Sequence, residues 1–509
     1  MPGLKNRQEE NLARVGPGTP SGAVFRRYWL PVEVSANLGG GRRRTFFGLG
    51  GASPHARNPI RVKALGEELV LFRDASGQPV LLGEHCSHRG TSLVYGRIED
   101  DCIRCLYHGW AYDRAGRVVD MPAEPPTSRF KNTIRHPAYP CVEVGGLIFA
   151  YLGPPDTQPL FPRYDVLYRE DGVRVVGDGG YVEPCNVFQA MHDNNLDTWH
   201  VDIQHVWFNK EEPPFRHMHH GKDGHPPTPI KYERTPWGTR DVVLKDAETP
   251  GQYEYYELHT VWPSARVNFP GGTSMKWALP LDDYHTRWFV VEVYPFDEHG
   301  RVTPAAERIM NAPGPNMIRG ADKLPPGWYD QVGGWWDFGH PWRQGVFWED
   351  HVAQVSQNVG ERQLPDWESW HLGSSDKGLV LNRRVWREQV RRVQEGLDPV
   401  GVLRDPADDQ PIHVPSDNLY VDWDAGMRLF SMSVEERLQA LASGAAPGAG
   451  PHGLHGRQNG ATAPPPAGDS ATNPPAARNG AAKRRGARTN GKTSPTHGKA
   501  PRARREVAR

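Results

Sequence analysis

Cys86-Ser87-His88 and, after sixteen intervening residues, Cys105-Leu106-Tyr107-His108 form the stretch whose reading decides the fold. Each end offers one thiolate and one imidazole. Mixed pairs across a short spacer suit a [2Fe-2S] cluster in which both cysteines hold one iron and both histidines hold the other. Two ferric ions, two sulfides and two thiolates sum to zero charge, whereas four thiolates would leave the oxidised cluster at minus two. The neutral cluster accepts an electron more readily. The competing reading is a mononuclear Cys2His2 zinc site, which groups its cysteines at one end and its histidines at the other. The interleaved order argues against it.

The flanks of these ligands carry a resemblance. His88-Arg89-Gly90-Thr91-Ser92-Leu93 and Tyr107-His108-Gly109-Trp110 resemble the two cluster-binding loops of the Rieske oxygenases. Glycines there let the backbone turn tightly around the sulfurs and donate hydrogen bonds to them. Gly16-Pro17-Gly18-Thr19-Pro20 followed by Arg26-Arg27-Tyr28-Trp29 resembles the opening of oxygenase subunits of the phthalate dioxygenase group. Leu372-Gly373-Ser374-Ser375-Asp376 and Arg383-Arg384 resemble its closing part. Gly39 to about Asn58, which contains Arg42-Arg43-Arg44, reads as a surface-loop insertion relative to that group.

At 509 residues the chain has room for two or three domains with substantial cores. Its five cysteines are Cys86, Cys102, Cys105, Cys141 and Cys185. Three remain once two are given to a cluster, without a paired spacing, so a disulfide framework is not expected and a reducing compartment is. Met1 to Glu10 is polar and mixed in charge, unlike a secretion signal. No stretch approaches the ~18 consecutive apolar residues of a membrane span, and a cytoplasmic protein is the expectation. The formal net charge is zero, yet Ala442 to Arg509 holds 12 of the 60 basic residues and two of the 60 acidic ones. The body is therefore acidic and the tail basic. From Ser443 onward the composition is Ala, Gly, Pro, Asn and Arg, which cannot bury enough apolar surface to offset ordering entropy, so a disordered tail over 443–509 is predicted. Lys483-Arg484-Arg485 lacks the interleaved aromatics of a nucleic-acid site and reads as solvated.

Strand-like runs follow from Ile60: Ile60 to Ala64, Leu69 to Phe72, Val80 to Leu82, Arg117 to Val119 and Val142 to Leu152, with turn residues between them. They predict a small all-β domain that presents the two ligand loops. Further on, strands are predicted at Tyr253–Val261, Ala265–Asn268, Met275–Ala278 and Arg287–Tyr294, and Trp386–Leu397 reads as an amphipathic basic helix. One helix is predicted over Asn186 to His200, placing Asp197 and His200 at i and i+3 on one face. His205 lies five residues on, so the helix is expected to loosen before it. Two histidines and one carboxylate bind iron through a single face and leave sites open for oxygen. Trp348-Glu349-Asp350 resembles the family segment that returns an aspartate to the iron, which selects Asp350 over Glu349, Asp337 and Asp366. Gln189, His192, Asp193, Asn194 and Asn195 are expected to surround these ligands. The histidines at 217, 219, 220 and 225 lie between proline pairs without triad spacing and read as a loop.

The resemblance spans roughly residues 8–430, three motifs in order. It implies an α+β chain divided into an N-terminal helical segment (1–35), a Rieske [2Fe-2S] domain (36–160), a mononuclear iron domain built of antiparallel sheet and helices (161–442) and the tail. Cys86, His88, Cys105 and His108 would hold the cluster, and His200, His205 and Asp350 an Fe(2+). Electrons would come ultimately from NAD(P)H through a partner reductase, with or without a ferredoxin. Family members form head-to-tail homotrimers, in which Asp197 would link His108 of one subunit to His200 of the next. The implied activity is hydroxylation, or O- or N-demethylation, of an aromatic compound, carboxylated or methoxylated, with O2. The alternative is a Rieske electron carrier without oxygenase activity, which would need only the small β domain.

Overall fold

Two-residue turns set the register of the first half of the molecule. The computed structural model describes residues 12–39, 58–177, 182–200, 229–247, 249, 251–268, 274–304, 307, 350, 353–357, 364–365, 367 and 370–443. The expectations for the insertion up to residue 57, for His205, for the histidines at 217–225, for Glu349, Asp337 and Asp366, and for the tail from residue 444 lie outside the described residues.

After a short helix, Pro20–Phe25, capped by the Thr19 side chain, come β1 (Trp29–Val34), β2 (Ile60–Ala64), β3 (Glu67–Arg73) and β4 (Pro79–Gly83). Leu65 and Gly66 both take positive φ, 50° and 79°, and close the β2–β3 hairpin with the twist that two-residue loops favour. Then follow β5 (Arg97–Glu99), β6 (Cys102–Arg104), β7 (Ala111–Asp113), β8 (Val118–Asp120), β9 (Ala138–Tyr139), β10 (Cys141–Val144) and β11 (Leu147–Tyr151). The single strand read over Val142 to Leu152 is in fact the β10–β11 hairpin. Gly145 and Gly146, at φ 62° and 87°, turn the chain back on itself, which no pair with side chains does as readily. Three small antiparallel sheets result, ordered β2-β3-β4-β9, β5-β6-β7-β8 and β1-β11-β10. Arg73 locks two of them through a bidentate pair with Glu143, both bonds 2.7 Å.

The second half is built on one antiparallel sheet. After the two-residue β12 (Arg163–Tyr164) come β13 (Gly172–Gly177), β14 (Val182–Glu183), β15 (Ile230–Thr235), β16 (Gly238–Asp246), β17 (Tyr253–Val261), β18 (Ala265–Asn268), β19 (Ser274–Asp282) and β20 (His285–Pro295). β21 (Pro411–Ile412) pairs with β12, and β22 (Asn418–Val421) with β17. The sheet order is β13-β20-β19-β18-β17-β16-β15, with β14 and β22 off that path. The helix Lys377–Gln394 starts nine residues earlier than the predicted amphipathic segment and buries Leu379, Asn382, Val385, Trp386 and Val390. Helices Trp423–Ser431 and Val434–Ala442 close the fold, each opened by an N-cap side chain, Asp422 and Ser433. The architecture is α+β, as the sequence predicts.

Alternation along these strands gives the sheet two unlike faces. Val267, Met275, Trp277, Phe289 and Val291 point into an apolar core shared with Val32, Phe149 and Phe25, and each large side chain fully buried there contributes about 1.5–3 kcal/mol. The intervening positions are polar: Thr239, Thr260, Arg266 and Lys276 are successive cross-strand neighbours on β16 to β19. A separate core under the ligand loops contains Phe72, Leu82, Leu93, Ile103 and Tyr112 together with Cys86 and Cys105.

The helix predicted over Asn186 to His200 is broken. Phe188–His192 winds as a π turn, Asp193–Asn195 as α-helix, and Leu196 leaves the helical region at ψ 19°. Asn186 anchors the start by donating to the carbonyls of Ala13 (2.9 Å) and Asp283 (2.6 Å), so the segment cannot slide to remove the extra residue. The break comes just before Asp197, and a new helical turn begins at Thr198. Such π insertions re-aim the residues beyond them.

Candidate active site: two metal-binding constellations

The loops after β4 and after β6 repeat one design. In the first, the Gly90 N–H donates to the Cys86 carbonyl at 2.8 Å, and in the second the Gly109 N–H donates to the Cys105 carbonyl at 3.1 Å. Both glycines sit at φ 75°, the left-handed conformation that a four-residue return around a sulfur requires. Thr91 and Trp110 carbonyls accept from the Cys86 and Cys105 N–H groups, closing each loop. Both thiols are 3% exposed, whereas His88 is exposed and His108 half-buried. The two imidazoles stand 4.6 Å apart, with His88 stacked on Trp110. Sulfur thus points inward and imidazole outward, from two loops of equal shape.

The hydrogen bonds at Cys86 have a defined direction. The Ser87 N–H donates to the Tyr112 oxygen (3.1 Å), which leaves the Tyr112 proton for Cys86 Sγ, 3.0 Å away. Burial pushes the Cys86 thiol above its ordinary pKa, against the Tyr112 bond, and the Cys105 thiol beside it acts in the same sense as burial. Two buried thiols on facing loops, with a hydroxyl aimed at one of them, fit a bound metal that takes both as thiolates.

The second constellation centres on His200. Asp197 Oδ2 lies 3.5 Å from His200 Nδ1, and Asp350 Oδ1 lies 3.5 Å from His200 Nε2. The imidazole therefore has a carboxylate on each side. Two atoms each about 2.1 Å from one metal and at right angles to each other lie roughly 3 Å apart, so the His200–Asp350 spacing suits a shared ion. Asp197 is the more exposed carboxylate, 42% against 19% for Asp350. His205 lies outside the described residues.

The residues upstream hold this segment in place. The Asn382 amide donates to the His192 carbonyl at 2.6 Å, and Asp193 is buried against Arg383 (3.4 Å) and the Trp367 indole N–H (3.1 Å). Burial drives His192 down to about 3, so its imidazole is neutral. The Asn195 side-chain oxygen accepts from Arg266 at 3.3 Å.

The polar sheet face under His200 was not legible in the sequence. Thr198 donates to Asp241 on β16 at 3.1 Å, and burial raises Asp241 to about 6 against the pull of Arg266. Lys276, 3% exposed, is brought down to about 7, chiefly by burial. Among the described residues, Thr239 Oγ1, Thr260 Oγ1, Asp241 Oδ1 and Arg266 Nε are buried without a hydrogen-bond partner. Alternating polar residues in otherwise apolar strands were the only available signal, and alternation alone reads as a solvent-facing side.

Comparison with known proteins identifies the family. A family model described as Rieske [2Fe-2S] domain matches residues 52–136. Phenoxybenzoate dioxygenase subunit alpha of Ectopseudomonas oleovorans is 32% identical over 430 residues, covering 82% of this chain and 92% of that protein. The chain belongs to the Rieske oxygenases. The 5,5'-dehydrodivanillate O-demethylase oxygenase subunit of Sphingobium sp. (strain NBRC 103272 / SYK-6) is 30% identical, with 81% of this chain and 87% of that protein covered. Phthalate 4,5-dioxygenase oxygenase subunit of Pseudomonas putida is 32% identical, with 55% and 63% covered. This Rieske oxygenase is the oxygenase component of a multi-component system, an enzyme whose cofactors are a [2Fe-2S] cluster and a mononuclear iron, with electrons supplied by partner proteins. No described helix is long and apolar enough to cross a membrane.

Proposed function

We propose that this Rieske oxygenase inserts oxygen into an aromatic substrate that carries a carboxylate or a methoxy group, giving a hydroxylated ring or a product that has lost a methyl group. The observation that carries this reading is the convergence of Asp197 and Asp350 on the two nitrogens of His200, from segments far apart in sequence. Cys86, His88, Cys105 and His108 hold the cluster, and His200, Asp350 and His205 hold the iron. These groups, when bound, supply single electrons and activation of O2 respectively. The relatives named for phenoxybenzoate, dehydrodivanillate and phthalate support an aromatic acid or ether.

The chain's own residues account for orientation and electron entry. Asp350 adds one negative charge beside His200, which would leave a ferrous ion held there with a net charge of plus one. The polar groups of Thr239, Thr260, Asp241 and Arg266 that face this region without partners favour a substrate with hydrogen-bonding substituents over a bare hydrocarbon. Exposed His88 and half-exposed Asp197 suit a relay between subunits: in a head-to-tail homotrimer, Asp197 accepts from His108 of a neighbouring subunit and orients His200. A nicotinamide-dependent reductase, directly or through a ferredoxin, supplies the electrons in the cytoplasm.

Anaerobic loading with iron, followed by a screen of aromatic acids and methoxy-aromatics for substrate-coupled oxygen uptake, tests the reading. Formaldehyde release identifies demethylation and a cis-diol identifies ring dihydroxylation. Cluster reduction with no oxygen uptake on any member of the panel would sink it in favour of an electron carrier.

A further inference from the structure

His136 lies outside every motif and outside both constellations, yet it is 3% exposed and engaged on all sides. Its backbone is clamped first. The His136 N–H donates to the Gly116 carbonyl (2.8 Å), and the Gly83 N–H donates to the Pro137 carbonyl (2.9 Å). Gly116 sits at φ 71°, and a Cβ there would fall 2.0 Å from the His136 carbonyl oxygen, so the close approach depends on glycine. The side chain then spans the first cluster loop: Nε2 is 2.8 Å from the Gly83 carbonyl, Nδ1 is 2.8 Å from Ser87 Oγ, and the ring packs on Tyr112 at 4.4 Å.

These contacts determine where every proton sits. A carbonyl only accepts, so Nε2 carries the hydrogen. Burial lowers the imidazole's pKa and keeps the ring neutral, which leaves Nδ1 bare. Ser87 Oγ–H therefore donates to Nδ1. The Ser87 hydroxyl is committed to His136, its backbone N–H to Tyr112, and the Tyr112 proton to Cys86 Sγ. Ser87 is the branch point of both chains, and His136 is the rigid end that holds it.

We propose that His136 is a positioning residue that sets the electron affinity of the cluster, by fixing Ser87 and Tyr112 so that the Tyr112 hydroxyl stays aimed at Cys86 Sγ. This rests on the reading of Cys86 and His88 as cluster ligands. A hydrogen bond to a ligating thiolate stabilises negative charge and hence the reduced cluster, so loosening its donor lowers the reduction potential.

Ser87→Ala and His136→Phe, in the full chain with the cluster assembled, break the same link from opposite ends; phenylalanine keeps a ring against Tyr112. Iron and sulfide content, visible absorption and the midpoint potential are measured for each variant and for the pair. Both single variants should hold the cluster at the parental level and shift the one-electron equilibrium toward the oxidised form by about tenfold, ~59 mV. The double variant should shift no further than the larger single, and His136→Gln, which can still span Gly83 and Ser87, should restore most of the potential. An unchanged potential with the cluster intact in Ser87→Ala overturns the proposal, as do additive shifts or a Ser87→Ala protein that cannot hold a cluster. The ligand reading fails separately: Cys86→Ser would then retain the full Rieske spectrum.

Discussion

Asp350 and Asp197 approach His200 from opposite sides, and their unequal exposure separates their tasks. The more buried Asp350 faces Nε2, where a ligand shares a metal with the ring; the half-exposed Asp197 faces Nδ1 and has room for a second partner. Asp350→Ala should therefore reduce iron from about three atoms per chain to about two, the cluster's own, with the visible spectrum unchanged and oxygen uptake lost. Metal analysis beside absorption spectroscopy checks this. Asp197→Asn should retain both metals and nearly abolish turnover under multiple-cycle conditions. Loss of the mononuclear iron in that variant would show Asp197 to be a ligand. Asp197 and His200 meet at the i,i+3 spacing, but across a new helical turn instead of along one continuous helix, because the helix breaks between Leu196 and Thr198. Asp197 meets His200 as the residue preceding a new helical turn, a position where a carboxylate is also favoured by the free N–H groups.

At the scale of elements, the π turn Phe188–His192 is held by the helix Lys377–Gln394 through two polar contacts in an aromatic shell. Arg383 lies over Trp367 and Trp370, 4.7 and 4.5 Å from their ring centres, while pairing with buried Asp193. Burial raises the Asp193 pKa, and Arg383 is the main group opposing it. Arg383→Met keeps most of the apolar stem but leaves Asp193 uncompensated, a loss of about 3–5 kcal/mol by analogy with other broken buried pairs. Denaturant melts of the variant should show that loss, and the mononuclear iron should exchange faster with a chelator while the cluster does not. A melt within ~0.5 kcal/mol of the parent would mean that Asp193 is carried by Trp367 alone. The strands of this half were legible because β-branched and aromatic runs lie between turn residues; Tyr253–Val261 and Ala265–Asn268 match the prediction end to end. The β10–β11 hairpin was missed because strand-like residues continue on both sides of Gly145-Gly146, although a Gly-Gly pair is itself a signal for a two-residue turn.

Across the whole molecule, strands β16 and β17 of the large sheet are tied to the last helix by charges buried to an unusual degree. Arg240 on β16 reaches Glu257 at 2.8 Å, Arg437 on the final helix reaches the same carboxylate at 3.2 Å and also pairs with Asp417, and Glu257 and Arg437 are both fully buried. Burial raises the Glu257 pKa, but His259, Arg437 and Arg240 outweigh it and bring the carboxyl to about 2 from its ordinary 4.5. A depressed carboxyl contributes stability that is present above its unfolded pKa and lost as pH falls through the folded one. Thermal unfolding should therefore weaken most steeply between about pH 4.5 and pH 2, and Glu257→Gln should flatten that slope while costing about 3–5 kcal/mol at neutral pH. An unchanged acid slope in the variant would place the sensitivity elsewhere. The small sheets are fastened to the large one by Lys63–Asp282 (2.6 Å) and by Arg287 bonding both oxygens of Glu33 (3.0 and 2.8 Å). None of these partners is close in sequence, and charged residues scattered through strands carry no mark that says which will meet.

What the sequence determined by itself is whatever chemistry needs at short range. Ligand pairs two or three residues apart, with a glycine where the backbone must turn left-handed, leave a local trace, and so do strands bounded by turn residues. Tertiary structure alone decided which polar side chains form the floor beneath His200, and that a histidine from outside the motifs braces the cluster loop. Those arrangements depend on sheet register and on elements brought together from distant parts of the chain, and a shift of one residue along a strand would send the side chains of that floor to the opposite face.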